Sequence, residues 1–182
     1  MKIKTRVLHI DDNTHDRELV RDALLKEPDE FEILEAGNRA DFERHLAEAD
    51  FDIIVSDYNI LGFEGLKVLQ IVKDKYPEMP VIIVTGTGSE EIAINAMKMG
   101  ATDYIIKSVN NLRGLGSTIK IVIDNKKAQT ERRIALDKQH ETEELYRSVF
   151  ENTSVAILLT SSEGKVISAN EYACVLFGRS KE

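Results

Sequence analysis

Asp11, Asp12, Asp57, Thr85 and Lys107 each stand where a short apolar run ends, and together they are equipped for phosphoryl chemistry. Three carboxylates brought close repel one another, and the repulsion raises at least one pKa unless a cation shares the site. Mg²⁺ suits such a set: it is a hard ion with octahedral oxygen coordination, keeps several waters, and takes one or two carboxylates plus a phosphate. A lysine ammonium and a threonine hydroxyl aimed at the same spot suit a phosphoryl group. Its transfer asks the protein chiefly to align a nucleophile and to neutralise charge on the equatorial oxygens. Asp57 is then the candidate nucleophile, because a carboxylate that attacks phosphorus gives an acyl phosphate. Singly these residues say little. Asp11-Asp12 could be a helix-capping turn, Asp57 a strand-end carboxylate, and Lys107 carries no message by itself.

Whether the five meet depends on the elements that carry them. The runs at 6–10, 53–56, 81–84 and 104–106 are short, continuously apolar and rich in Val and Ile, which predicts strands buried on both faces. A further strand is expected at 31–36. Between the runs, Leu19, Ala23 and Leu24, then Leu66, Leu69 and Val72, then Ile92, Ala96 and Met99 have helical spacing. Asn13 or Thr14, Asn38 and Ser89 are candidate helix caps, and Gly100 suits a left-handed helix end. Strand and helix thus alternate, which predicts an α/β domain with a doubly wound, five-stranded parallel sheet. In the flavodoxin-like order 2-1-3-4-5 the first and third strands are neighbours. Asp11, Asp12 and Asp57 then converge at the carboxyl edge, where such sheets bind ligands.

Composition narrows the setting. The chain has 182 residues, 42% hydrophobic and 31% charged, and carries a net charge of −8, which speaks against sequence-independent nucleic-acid binding. No run is long enough to span a bilayer, and Met1 to Val7 leads into a strand without a signal-peptide pattern, so a cytoplasmic location with no membrane partner is expected. Cys174 is a single cysteine without metal-ligand spacing and is expected to fill core space. His9, inside the first strand, is read as packed; His15 and His45 are read as surface residues.

Taken together, the segments VLHIDDN, SDYNILGFEG, VTGTG and Gly100-Ala101-Thr102-Asp103-Tyr104-Ile105-Ile106-Lys107 make residues 1–124 resemble a response-regulator receiver domain of two-component signalling. The resemblance implies that Asp57 is the phosphoacceptor, taking a phosphoryl group from a histidine kinase or phosphotransfer protein. It implies that Asp12 binds Mg²⁺ directly, Asp11 through water and Asn59 through its backbone carbonyl, and that Lys107 holds a phosphoryl oxygen. It further implies a switch in which Thr85 follows the phosphoryl group inward and Tyr104 takes the space left behind. Such a domain catalyses its own phosphorylation and dephosphorylation and is otherwise not an enzyme. Ser108 and Leu61 stand where the family commonly has proline, and neither change removes a catalytic group. The same fold could serve as a phosphorylation-independent interaction module, against which the presence of all five polar residues counts. Haloacid-dehalogenase-like phosphatases share the aspartyl-phosphate chemistry but use a second Asp two residues on. Here Asn59 stands in that place and cannot donate and recover a proton.

Residues 125–144 are expected to form a charged helical linker. Within Asp124–Glu144, 11 of 21 residues are charged and none is Gly or Pro. Ile121, Ala128, Ala135 and Val149 keep a spacing of seven or its multiple, but Thr142 interrupts the seam. A helix over 111–151 would be about 60 Å long. A homodimer through this linker or through the switch face is one expectation. His140 lies on this helix without the residues that usually follow a kinase's phosphoacceptor histidine, and is read as a solvated linker residue.

Residues 145–182 predict a short helix, strands at 156–160 and 165–169 about a Ser162-Glu163-Gly164 turn, and a helix capped by Asn170 and ended by Gly178. Phe150-Glu151-Asn152, Glu163-Gly164-Lys165-Val166-Ile167, Asn170, Ala173 and Gly178 resemble the start of a PAS sensor domain, an incomplete α+β segment expected to bind no cofactor by itself. Two strands are too few to bury a self-sufficient core.

Overall fold

The computed structural model describes residues 4–26, 30–48, 50–60, 63–86 and 90–178. Contacts divide the chain into two units, 1–126 and 127–182. In the first, β1 (Thr5–Ile10), α1 (Thr14–Leu24), β2 (Phe31–Ala36), α2 (Arg39–Glu48), β3 (Ile53–Asp57), α3 (Gly65–Lys75), β4 (Val81–Thr85), α4 (Glu90–Lys98) and β5 (Asp103–Ile106) alternate as the apolar runs predict. The five strands form one parallel sheet in the order β2-β1-β3-β4-β5. A two-residue antiparallel pairing of Asn59–Ile60 with Phe63–Glu64, which no periodicity announces, follows β3.

The strands' period of two divides their side chains between two faces. Leu8, Ile10, Ile54, Val81 and Ile83 bury one face against Phe42 and Leu46 of α2, Val68, Leu69 and Val72 of α3, and Ala96 of α4. Val7, Ile53, Val55, Ile82 and Val84 bury the other against Val20 and Leu24 of α1 and, further on, Leu115, Ile119 and Ile123. Both faces being covered explains why the strands read as continuous apolar runs. Full burial of each such side chain stabilises by about 1.5–3 kcal/mol before entropy is charged against it.

Local chemistry sets the helix ends. Asn13 caps α1, its Oδ1 accepting from the backbone N–H of His15 at 2.9 Å and of Asp16 at 3.4 Å. Asn38 caps α2 through Asp41 N at 2.9 Å. Gly100 follows α4 at φ +93°, a conformation that costs other residues strain. Ser89 and Leu61 lie outside the described residues.

After β5 the single helix expected from Asn111 is instead two: α5 (Val109–Arg113) and α6 (Leu115–Asn152). Ser108 caps α5, its hydroxyl accepting from Asn111 N at 3.2 Å, and Gly114 ends it, its N–H turned back onto the Asn111 and Leu112 carbonyls. The hydroxyl at 108 thus makes a cap that proline could not supply.

In the second unit, the short helix expected at residue 145 is not separate but the end of α6, because no breaker precedes it. β6 (Leu158–Thr160) and β7 (Val166–Ala169) pair antiparallel about a turn in which Gly164 takes φ +80°, and α7 (Glu171–Phe177) ends at Gly178 with φ +63°. Buried Asn170 ties the segment together. Its Oδ1 accepts from Ile157 N and Ala173 N at 2.9 Å each, and its Nδ2 donates to the Val155 carbonyl at 2.8 Å.

Candidate functional site

Strand register brings the candidate residues level at the carboxyl edge of the sheet. Ile10 pairs with Ser56, so Asp11 and Asp57 follow side by side. Asp57 pairs with Val84, and Thr85 pairs with Ile106, so Thr85 and Lys107 come next along the same edge. The Lys107 backbone N–H closes the last rung onto the Thr85 carbonyl at 2.7 Å.

Asp11, Asp12 and Asp57 each offer a carboxylate oxygen, and the three oxygens lie within 4.8 Å of one another. Asp11 and Asp57 are buried and Asp12 is half-buried. Backbone donors orient the two buried groups: Asn13 N reaches Asp11 Oδ1 and Asn59 N reaches Asp57 Oδ2, both at 2.9 Å. The opposite oxygens take the Lys107 ammonium, whose Nζ lies 2.7 Å from Asp11 Oδ2 and 2.7 Å from Asp57 Oδ1. A third carboxylate, Asp16 of α1, holds the same Nζ at 2.6 Å.

Burial pushes the Asp11 carboxyl up, against the hydrogen bonds from Lys107 and Asn13, with the Asp57 charge adding to the rise. Burial likewise opposes the Lys107 charge, but the hydrogen bonds to Asp11, Asp16 and Asp57 outweigh it and hold the ammonium above its ordinary range. One ammonium among so many carboxylates leaves an excess of negative charge, which a hard dication would neutralise with the oxygen donors already in place.

Thr85 is fully buried at the end of β4, and half-buried Tyr104 of β5 packs against the cluster that includes Ile83. Asn59 meets the site through its backbone N–H on Asp57, and its side chain is exposed. His9 is packed as read, fully buried on the α1 side with neither ring nitrogen hydrogen-bonded.

Two parts of the site escape a linear reading. Asp16 looks like an ordinary acidic residue in a helix's first turn, favoured there by the macrodipole. Its lysine partner lies 91 residues away. The second is a support from β2. Glu35 receives Arg21 in a two-bond fork, both bonds 2.7 Å, and lies 3.5 Å from Arg17, which donates to the Asp11 carbonyl at 2.6 Å. The i, i+4 spacing of Arg17 and Arg21 was the available signal.

The fold and this edge define a class, and comparison with known proteins agrees. The response regulator receiver domain family matches residues 7–119, and residues 144–182 match a PAS domain. The chain belongs to the response regulator receiver domain family and carries a PAS segment behind it.

It is similar to the NtrX-like response regulator of Rickettsia bellii, with 41% identity over 107 residues, 58% of this chain and 22% of that protein. It is also similar to the response regulator FleR of Pseudomonas aeruginosa, 33% identical over 102 residues, 56% of this chain and 21% of that protein. The chain therefore spans about a fifth of the length of these relatives. Among solved structures, a CheY-like receiver domain protein of Methanospirillum hungatei superposes with a TM-score of 0.62 at 27% identity, over 70% of this chain and 99% of that one. No helix among the described residues is long and apolar enough to cross a membrane.

Proposed function

We propose that the chain is the phosphoacceptor of a two-component relay, in which Asp57 takes a phosphoryl group from a histidine kinase or phosphotransfer protein. The observation that carries this reading is the 2.7 Å contact of Lys107 with Asp57 beside two further carboxylates. Asp11, Asp12, Asp57 and the Asn59 carbonyl would hold Mg²⁺, which when bound supplies positive charge for the transferred oxygens. An Asp57 oxygen forms the new bond to phosphorus as the donor's P–N bond breaks, and the departing imidazole keeps that electron pair and takes up a proton. Asn59 N and Lys107 hold the two Asp57 oxygens, so the nucleophile is oriented before the donor arrives. Lys107 then turns its ammonium to a phosphoryl oxygen.

Thr85 would follow the phosphoryl group and Tyr104 fill the space it leaves. The switch works only as far as the phosphoryl group prefers one of two conformations. Exposed Ile94, Met97 and Ile106 on α4 and β5 suit the face that changes as a surface for output or a homodimer, and exposed Ile134, Leu145 and Val149 offer α6 as an alternative. Sedimentation with and without a phosphoryl analogue tests association.

The test of the phosphoacceptor reading is intact mass after incubation with acetyl phosphate and Mg²⁺. A phosphoryl adduct on the wild type, absent from Asp57→Asn and lost with chelator, is expected. No adduct on either would replace this reading with a phosphorylation-independent interaction module.

A further inference from the structure

Lys107 has one more anionic partner than a phosphoryl site needs. Of the carboxylates around its Nζ, Asp57 and Asp11 belong to the group suited to a cation. Asp16, at 2.6 Å, stands outside that group on the first turn of α1. It lines a groove with Leu19, Asp22, Gly86 and Ser108. The contact is well shielded, with the Lys107 side chain 10% and the Asp16 side chain 25% exposed.

Were a dication to draw charge from Asp11 and Asp57, Asp16 would be the one carboxylate on Lys107 outside the metal group, and its hold on the ammonium would stay undiminished. An ammonium has three donors and no acceptor, so a donor spent on Asp16 is withheld from the phosphoryl oxygens. The Asp16 charge also opposes an approaching phosphodonor dianion across a partly buried gap, where screening is weak.

We propose that Asp16 is a positioning residue: it shares Lys107 with the phosphoryl group and thereby lowers the site's affinity for its phosphodonor. The inference rests on the phosphoacceptor reading above. It makes Asp16 a built-in brake that acts through the lysine and not through the metal ligands.

The test compares Asp16→Asn and Asp16→Ala with the wild type in the full chain. Asp22→Asn is the control, removing the same charge from the same groove without touching Lys107. With Mg²⁺ saturating, intact mass gives the labelling rate as a function of acetyl phosphate concentration. Both Asp16 variants are expected to reach half-maximal rate at about one fifth of the wild-type donor concentration, the worth of one partly exposed charge-assisted hydrogen bond. Their maximal rates should stay within about twofold of wild type, as for loss of an effect on binding alone.

A second readout needs no phosphorylation. Reductive methylation of Lys107, followed by peptide mass in saturating Mg²⁺, should run about fivefold faster in both Asp16 variants and at the wild-type rate in Asp22→Asn. An unchanged donor dependence, an unchanged methylation rate or an equal response in Asp22→Asn would overturn the inference. A wild type that takes no phosphoryl group would instead overturn the phosphoacceptor reading and reduce Asp16 to a structural ion pair. The methylation rate reports that pair in either case.

Discussion

Lys107 and Asp11, 96 residues apart in sequence, meet with Nζ 2.7 Å from Oδ2, and this pair closes the sheet edge from β5 across to β1. The contact belongs to a shared ammonium that also balances Asp57 and Asp16. Removing the lysine therefore does more than delete one ion pair.

Lys107→Ala leaves buried carboxylates without their counter-charge. We expect it to destabilise the domain by about 3 kcal/mol in chelator, the usual cost of breaking a buried pair from one side. Mg²⁺ would offset part of this loss by supplying the missing charge. Urea unfolding with and without Mg²⁺ checks it: the ion should raise the midpoint of the variant by more than that of the wild type.

His9 makes stability depend on pH. Burial first, then the charges of Lys107, Arg17 and Arg21, lower its pKa from 6.5 to about 3. As pH falls below the unfolded value, the unfolded chain binds a proton that the folded chain refuses, so stability is lost as pH falls from about 6.5 towards about 3. The loss at pH 5 is about 2 kcal/mol. Urea unfolding of the wild type and His9→Leu at pH 7 and pH 5 tests this, with the variant showing the smaller drop.

Glu35 holds the arginine that grips the Asp11 carbonyl, so its effect should reach the site from β2. Glu35→Gln weakens the fork with Arg21 and removes the ion pair that steadies Arg17, whose hold on the Asp11 carbonyl is expected to loosen. The cost to stability is expected to be small, since these side chains are partly exposed and screened by solvent. The half-saturating Mg²⁺ concentration for labelling should rise about twofold to threefold as Asp11 loses its support. A stability loss with no change in the Mg²⁺ dependence would confine Glu35 to the fold.

Asn170 satisfies three backbone groups in the second unit. In Asn170→Ala those groups lose their partner, and amide exchange at Ile157 and Ala173 should accelerate at least about tenfold. Asn170→Asp keeps the acceptor that both N–H groups use and should retain part of the protection. Equal exchange in both variants would show that the cap does not govern opening of the hairpin.

What the linear order of residues settled here is what short-range physics controls. Apolar runs of strand length rich in Val and Ile mark β1, β3, β4 and β5, and Asn13, Asn38 and Gly100 mark helix ends, because burial on both faces and capping are local demands. The same runs place Asp11, Asp57, Thr85 and Lys107 at strand ends, and parallel alternation puts those ends on one edge. Even so, Gly114 splits a stretch that periodicity alone extends through, since its N–H turns back onto two carbonyls.

Tertiary structure decided the partners. Nothing near Asp16 in sequence reveals that its carboxylate reaches Lys107, nor does Glu35 announce that it supports the Asp11 loop through Arg17. Such contacts arise from strand register and the packing of α1 on the sheet, which are cooperative properties of the whole core. The electrostatics of the site belong to the same level, because each charge answers to burial and to neighbours that the chain brings together only when folded.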